Sequence, residues 1–178
     1  MGLIIRKATP ADAETLSELA LRIFLDTFAA QNAPEDVDLH VERTYSRDIQ
    51  LAEINDPSLT YLIAEFDDEA VGFSMIGLPR SESCSKFEAP IELFRFYVDK
   101  NWHGKGIARP MMEECERIAR HLGGKTICLS VWLENPRAIR FYTKTGFRKE
   151  GTQPYVLGND VQTDWVMAKD IEPESNGN

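Results

Sequence analysis

An apolar run over residues 91–98 is followed by a glycine-containing segment and then by an amphipathic helical pattern over residues 106–122. A nearly unbroken apolar run of this length is typical of a strand that is buried on both faces of a sheet. Only Glu92 and Arg95 interrupt it. Because such a strand needs helices on each side of the sheet, this arrangement predicts an α/β fold.

The other segments predict a mixed, mostly antiparallel sheet of about seven strands with helices on both faces. Helical periodicity begins after Thr9-Pro10, resumes over residues 34–55 with a break near the middle, and returns after Asn135-Pro136. No repeat or linker divides the chain, so we predict one domain over residues 1–171 and a disordered acidic tail over residues 172–178. The predicted strands other than the run already described are residues 3–7, 60–66, 70–78, 126–133, 147–157 and 163–169.

The charge balance narrows the classes of partner. The 178 residues include 20 Lys and Arg against 29 Asp and Glu, a formal net charge of −9. This argues against nucleic acid, because phosphate binding needs a surplus of basic side chains, and it favours cationic ligands. No apolar stretch approaches the roughly 18–20 residues of a membrane span, so we expect no membrane partner and a cytoplasmic protein.

The cysteines and histidines form no recognisable disulfide or metal pattern. Cys84, Cys115 and Cys128 are odd in number and lack C-x-x-C spacing, which fits a reducing cytoplasm. The three histidines are scattered, without paired spacing on one helix face. We therefore expect no disulfide framework and no metal.

Residues 103–108 read His-Gly-Lys-Gly-Ile-Ala and lie between the predicted buried strand and the amphipathic helix. Glycines at such a junction let several backbone N–H groups face one anion, so a pyrophosphate-binding loop is one interpretation. A tight turn without a ligand is equally open from this segment alone. Two other nucleotide motifs fail on spacing, because Gly106 stands where a P-loop needs Ser or Thr and Arg109 ends the G-x-G-x-x-G pattern.

A second motif, residues 135–147, makes the first one specific. With Gly106 and Ala108 of the loop, it resembles the GNAT superfamily, whose loop reads Arg/Gln-x-x-Gly-x-Gly/Ala. His103 stands where Arg or Gln is usual, a small departure because the loop acts mainly through its backbone N–H groups. The family's later pattern, Asn…Ala…Phe-Tyr…Gly-Phe, is matched at Asn135, Ala138, Phe141, Tyr142, Gly146 and Phe147.

The resemblance covers about residues 3–171 and implies a GNAT-like domain with acetyl-CoA as cosubstrate. It also implies direct attack of a small molecule's primary amine on the thioester, without a covalent enzyme intermediate. Segments near the two ends look like the PaiA-type spermidine/spermine acetyltransferases, so the expected acceptor is a polyamine. These segments are residues 26–28, 31–32, 34–35, 158–164 and 167–169.

Two alternatives remain open at this point. An acetyltransferase for a protein N-terminus, a lysine or an amino acid would share the residues that bind CoA. A non-catalytic CoA-binding regulatory module would share them too, although the presence of Tyr142 and Glu92 argues for turnover. A homodimer is compatible with the resemblance, because single-domain enzymes of this family often dimerise and symmetric dimers are common.

The resemblance also implies which residues bind CoA. The backbone of Tyr97 and Val98 should pair with the pantetheine arm as an added strand, and Asn135 should lie near that arm or act only as a helix N-cap. Lys144 is a candidate for the 3′-phosphate. The residues expected around the pyrophosphate and the neighbouring helix are His103, Gly104, Lys105, Gly106, Ile107, Ala108, Arg109 and Ala138.

Tyr142 and Glu92 are the expected catalytic residues. A tyrosine hydroxyl stays protonated at neutral pH, so Tyr142 can protonate the departing thiolate, or it can be a packed aromatic residue only. Glu92 can take the proton of the acceptor amine, or it can simply pair with Arg95 or with a solvent-facing neighbour. Cys128 is expected in the core rather than as a nucleophile. The residues suggested for a cationic-amine groove are Phe28, Glu35 and Asp36.

Overall fold

Seven strands form a single sheet in the computed structural model of the protein, which describes residues 2–172. In chain order they are β1 (Leu3–Lys7), β2 (Leu59–Phe66), β3 (Glu69–Gly77), β4 (Pro90–Val98), β5 (Thr126–Trp132), β6 (Arg148–Leu157) and β7 (Asp160–Asp170). Their order across the sheet is β1-β2-β3-β4-β5-β7-β6, and only the β4–β5 pair is parallel. The predicted mixed, mostly antiparallel sheet is confirmed. The expected tail falls almost wholly on residues 173–178, outside the described residues, so the domain boundary stays a prediction.

Helices cover both faces of the sheet, as predicted. On one face the apolar side of the helix over residues 13–28 packs with Tyr61 and Phe73 of the sheet. On the other face Met112, Cys115 and Tyr142, from two later helices, pack against the strands. The helices are α1 (Ala13–Phe28), α2 (Pro34–Thr44), α3 (Arg47–Asn55), α4 (Glu82–Ser85), α5 (Ala108–His121) and α6 (Pro136–Lys144).

Local signals explain where the first helices begin and end. The predicted break within residues 34–55 falls between α2 and α3, where the Ser46 hydroxyl accepts a hydrogen bond from the Ile49 N–H and caps α3. Helix α4 was not predicted in the polar segment after β3. Its cap is Ser81, whose hydroxyl accepts from the Cys84 N–H.

Strands β4 and β5 pair only where they begin. Residues Pro90, Ile91 and Glu92 pair with Thr126, Ile127 and Cys128, and no further pairs follow. On the other side of β4, Met75 pairs with Arg95 and Ile76 pairs with Leu93, so Phe94 is an extra residue in a bulge. A bulge bends its strand, and the two strands diverge beyond it. A cleft therefore opens in the middle of the sheet.

The two charged residues of β4 have different partners. The Arg95 guanidinium forms an ion pair with Glu53 at 2.6 Å and contacts the Tyr61 hydroxyl. The Glu92 carboxylate instead accepts backbone N–H groups from the segment after β3. The suggested Glu92–Arg95 pair is therefore wrong, because the chain supplies each charge with a partner from a different element.

A disulfide joins Cys84 of α4 to Cys128 of β5, across a sequence separation of 44 residues. The expectation of no disulfide framework is corrected by this bond. A single bond between distant residues leaves no spacing pattern in a sequence, and here the segment carrying α4 crosses over β5 and brings the two side chains together. Both cysteines are buried with Val166, which agrees with the expected core position of Cys128.

Among residues 2–172, no helix is both long and apolar enough to cross a membrane. The same range contains no group of three or more His, Cys, Asp or Glu side chains placed to hold a metal ion.

Candidate active site

A cavity of about 480 Å³ occupies the cleft between β4 and β5. It passes from one face of the sheet to the other. Val131 packs with Tyr142 in the core beneath α5 and α6, whereas the next residue, Trp132, contacts Phe28 of α1 on the opposite face. The lining residues are Ile23, Phe24, Thr27, Phe28, Leu93, Phe94, Phe96, Tyr97, Val98, Trp102, His103, Gly104, Gly106, Ile107, Ala108, Arg109, Ser130, Val131, Trp132, Asn135, Arg137, Ala138, Phe141, Tyr142, Tyr155, Leu157, Gln162 and Asp164.

The loop between β4 and α5 has the geometry of an anion-binding loop. Gly104 and Gly106 have φ values of 76° and 82°, which side chains other than glycine rarely adopt. A Cβ atom on either residue would meet no atom within 4 Å, so both glycines border open space. The loop leads directly into the N-terminus of α5, where unpaired N–H groups and the helix dipole favour an anion. These residues fit a pyrophosphate group.

His103 connects this loop to two neighbouring elements. Its Nε2 lies 2.8 Å from the Val98 carbonyl, and its Nδ1 contacts the Arg137 guanidinium. Arginine only donates, so Nδ1 accepts and Nε2 carries the proton that is donated to Val98. Burial lowers the pKa of His103, and the charge of Arg137 lowers it further. His103 is therefore neutral at pH 7 and holds Arg137 beside the loop.

The backbone of β4 presents alternate residues to the cleft. The Asp99 N–H donates to the Val71 carbonyl at 2.9 Å, so the Val98 carbonyl of the same peptide points away from β3 and into the cleft. By strand alternation, the backbone groups of Phe96 and Val98 face the cleft, and those of Tyr97 face β3. Of the two residues predicted to pair with pantetheine, only Val98 has backbone groups that face the cleft, and its carbonyl already accepts the His103 N–H. The Tyr97 backbone faces β3, and Tyr97 is among the residues that line the cavity.

Tyr142 lies on α6 and reaches the cavity while only 7% exposed. Its ring makes edge-to-face contacts with Phe96, Phe141 and Phe147 at centroid distances of 6.2, 5.5 and 5.6 Å. Burial raises the pKa of Tyr142 above its ordinary value, so its hydroxyl is protonated at neutral pH and able to donate. Tyr142 is thus a packed aromatic side chain that also lines the cavity, and its role as the proton donor stays a prediction.

Asn135 is an N-cap residue that also lines the cavity, and its contact with the pantetheine arm stays a prediction. Its side-chain oxygen accepts the Ala138 N–H at 3.1 Å and caps α6, and both residues line the cavity.

Three of the predicted site residues do not line the cavity. The Glu92 carboxylate accepts the N–H groups of Arg80 and Ser81 at 2.7 and 3.1 Å, which leaves it engaged with the segment before α4. The Lys105 ammonium lies over the Trp102 ring at 5.0 Å. Lys144, at the end of α6, is also absent from the lining.

The three residues suggested for the amine groove separate in a similar way. Phe28 lines the cavity, but Glu35 and Asp36 do not. The Asp36 carboxylate accepts the Asn159 N–H at 2.6 Å and so ties α2 to the β6–β7 turn.

Asp164 is a charged cavity residue that the sequence did not reveal, and Arg137 is another. Asp164 lies on β7 opposite Trp132 and Gln153 and is 5% exposed. Its Oδ1 has no hydrogen-bond partner within residues 2–172. Burial raises the pKa of Asp164 to about 6, although the nearby Ser130 hydroxyl lowers it in part. The available signal was an acid on the same strand face as the buried Val166 and Ala168, but no local motif marks that position.

The charged groups of the cavity are divided between the two faces of the sheet. On the face covered by α5 and α6 lie Arg109, Arg137 and the glycine loop, which we call the basic side. On the face covered by α1 lies Asp164, the one carboxyl group among the described lining residues. It is accompanied by Phe28, Trp132 and Tyr155, and we call this the aromatic side. One side suits an anion and the other a cation with apolar parts.

Comparisons with known proteins agree with this geometry. The family model "Acetyltransferase (GNAT) family" matches residues 18–147, more than half of the chain. An uncharacterized N-acetyltransferase of Mycobacterium bovis is 31% identical over 160 residues, which are 90% of this chain and 98% of that protein. The spermidine N(1)-acetyltransferase of Thermoplasma acidophilum is 27% identical over 176 residues, 97% of this chain and 99% of that one.

A solved structure extends the likeness to three dimensions. The crystal structure of PaiA N-acetyltransferase from Thermoplasma acidophilum in complex with coenzyme A matches with a TM-score of 0.79 at 27% identity, over 96% of this chain and 100% of that one. The diverging strands, the glycine loop before α5 and the Asn135–Phe147 motif therefore coincide with a family match over most of the chain. This chain belongs to the acetyltransferase (GNAT) family and is an acyl-CoA-dependent N-acetyltransferase.

Proposed function

We propose that the protein transfers the acetyl group of acetyl-CoA to a primary amino group of a polyamine such as spermidine or spermine. The observation that carries this proposal is the division of charge across the sheet, with cationic and N–H groups on the basic side and Asp164 on the aromatic side. A donor with phosphates and an acceptor with ammonium groups fit opposite ends of such a cavity.

The basic side supplies the groups that would hold acetyl-CoA. The N–H groups of the glycine loop and of the first turn of α5 suit the pyrophosphate, with Arg109 and Arg137 beside them. The backbone groups of Phe96 and the N–H of Val98 are open to an amide-bearing arm. Acetyl-CoA supplies an activated acyl group and a thiolate leaving group, and the chain supplies the binding, the orientation and the proton transfers.

The aromatic side suits a flexible alkyl amine. The ring centroids of Phe28 and Trp132 lie 6.0 Å apart, and Tyr155 lines the same part of the cavity. Aromatic faces attract ammonium groups and also cover the methylene segments between them. The likeness to the spermidine acetyltransferase of Thermoplasma acidophilum supports a polyamine over an amino acid or a peptide.

Direct transfer is favoured over a cysteine-linked intermediate. Cys128 is held in the disulfide with Cys84. Burial raises the pKa of Cys115 to about 12, which leaves almost no thiolate at neutral pH, even though the Ser74 hydroxyl acts in the opposite direction. Tyr142 then acts as the proton donor to the departing thiolate.

The test is acetyl-CoA-dependent thiol release with spermidine, spermine, free amino acids and N-terminal peptides, for the wild type and Tyr142→Phe. We expect turnover of the polyamines and a loss in kcat of about 100-fold in the variant. The phenyl ring keeps the aromatic packing, so acetyl-CoA affinity and the thermal midpoint should change little. Turnover restricted to amino acids or peptides would overturn the polyamine acceptor. Binding of acetyl-CoA without thiol release from any amine would favour the regulatory module.

A further inference from the structure

Four carboxylic acids are buried within residues 2–172, and three of them are satisfied by the protein. Glu92 accepts two backbone N–H groups, at 2.7 and 3.1 Å. Asp99 accepts the Asn101 N–H and pairs with Arg22. Glu116 pairs with Lys169 and Arg120. Asp164 is the exception, because its Oδ1 has no hydrogen-bond partner in this range.

The surroundings of Asp164 supply no positive charge. It faces Ser130 and Trp132 of β5, Tyr97 of β4, Tyr155 of β6 and Gln162 of its own strand. Across residues 2–172, no lysine, arginine or histidine forms an ion pair with it. Burial raises the pKa values of Tyr97 and Tyr155, so both remain neutral hydroxyl groups at pH 7.

An unpaired buried carboxylate destabilises the fold unless a ligand supplies its missing partner. Burial removes the water that would solvate the charge, and it leaves an acceptor oxygen without a hydrogen bond. Asp164 opens onto the cavity, so the missing partner can come from the substrate. A cation that donates hydrogen bonds satisfies both requirements, and a protonated primary amine is such a group.

We propose that Asp164 binds the ammonium group of the acceptor and takes its proton, which makes the nitrogen nucleophilic. The inference rests on the proposed function only in requiring an amine acceptor. The proton moves from nitrogen to an Asp164 oxygen, and the nitrogen lone pair forms the C–N bond to the acyl carbon. The C–S bond breaks, its electron pair leaves with sulfur, and Tyr142 protonates that sulfur. The nitrogen loses its second proton to solvent as the amide forms, and solvent returns one proton to Tyr142. Asp164 releases its own proton to solvent after the products leave, so the net reaction releases one proton.

The pKa of about 6 suits this role at neutral pH. Most Asp164 groups are then ionised and able to accept a proton, and the carboxylate is more basic than an ordinary aspartate. Glu92, the base expected from sequence, is buried, and its carboxylate already accepts two N–H groups from the segment before α4.

The test is the pH dependence of kcat/KM for the amine, measured at saturating acetyl-CoA from pH 5 to 9 with whichever amine is turned over fastest. In the wild type we expect the logarithm of kcat/KM to rise with pH at unit slope and to level off near pH 6. Asp164→Asn should lose this limb and fall about 100-fold or more in kcat at pH 7.5. Asp164→Glu should restore part of the activity together with a pH limb. Asp170→Asn, the same change at an exposed position of β7, should match the wild type.

Each contrary result has a distinct meaning. The Kd of acetyl-CoA, measured by calorimetry, should stay within about twofold of the wild type in Asp164→Asn, since the basic side is untouched. An unchanged acid limb in Asp164→Asn, or a rise in KM with kcat unchanged, would overturn the proton-transfer role. Wild-type turnover of amino acids or peptides instead of polyamines would overturn the acceptor class alone, because the same pH series is then run with that amine.

Discussion

Asp164 and Tyr142 illustrate how burial prepares single residues for opposite tasks. Burial raises the pKa of both side chains, because a low-dielectric environment disfavours an ionised carboxylate and an ionised phenol alike. In the proposed mechanism, the raised pKa keeps Tyr142 protonated as the donor and makes the Asp164 carboxylate a stronger base. The two residues lie on opposite faces of the sheet, and both line the cavity.

The raised pKa of Asp164 also predicts a cost in stability. The pKa rises from 3.8 in the unfolded chain to about 6 in the fold, so the folded state binds more protons between these values. This group's contribution to the free energy of unfolding therefore falls as the pH rises through this window, and the cost is complete above about pH 6. Asp164→Asn should raise the free energy of unfolding at pH 8 by about 1–2 kcal/mol relative to the wild type and give no gain near pH 4.

Thermal melts at the two pH values measure this effect. A gain of about 1–2 kcal/mol corresponds to several degrees in the midpoint for a chain of this size. An equal difference between variant and wild type at both pH values would show that the carboxyl titration is not responsible.

At the scale of elements, the site depends on a strand that leaves its partner. The Phe94 bulge separates β4 from β5 after three paired residues on each strand, and the exposed strand edge leads into the glycine loop and the N-terminus of α5. His103 and Arg137 then join this loop to α6. The basic side thus combines the Arg109 and Arg137 side chains with backbone N–H groups of the loop and of the α5 N-terminus, whose positions follow from the fold.

Gly106→Ala tests that construction. A residue with a Cβ atom at a φ of 82° is strained by about 1–2 kcal/mol, although open space surrounds the position. We expect the loop to shift and its N–H groups to turn, which should weaken acetyl-CoA binding by about tenfold and lower the thermal midpoint by a few degrees.

Gly151→Ala is the matched control for this variant. It too meets no atom within 4 Å, its φ is not positive, and it lies on β6 outside the cavity lining. Its acetyl-CoA affinity should equal that of the wild type. If Gly106→Ala bound acetyl-CoA equally well in calorimetry, the loop would not be the pyrophosphate site.

At the scale of the whole molecule, the Cys84–Cys128 disulfide fastens the segment that crosses the sheet. This segment also holds Glu92 through the N–H groups of Arg80 and Ser81, and Ser83 contacts Gln153, the residue opposite Asp164 on β6. A bond that closes a loop across 44 residues restricts the unfolded chain and stabilises the fold by about 2–4 kcal/mol.

Reductant should therefore lower the thermal midpoint of the wild type by roughly 5–10 °C. The double variant Cys84→Ala/Cys128→Ala should already melt lower and should not respond to reductant. Mass spectrometry after alkylation of the unfolded chain without reductant should find one reactive thiol, that of Cys115. Three reactive thiols would contradict the disulfide and agree with the reducing environment expected from sequence.

Local sequence patterns were enough for the strands, the helices other than α4, the mixed sheet, the glycine loop and the position of Tyr142. Each of these depends on hydrophobic periodicity, helix caps or closely spaced motif residues, which act over a few neighbours in the chain. The unpaired state of Asp164, the position of Glu92 outside the cavity lining and the Cys84–Cys128 bond all depend on contacts between distant segments. Whether a carboxyl group is engaged or unpaired, and whether two cysteines meet, is decided by which elements pack together, because burial and partners arise only once the sheet has formed.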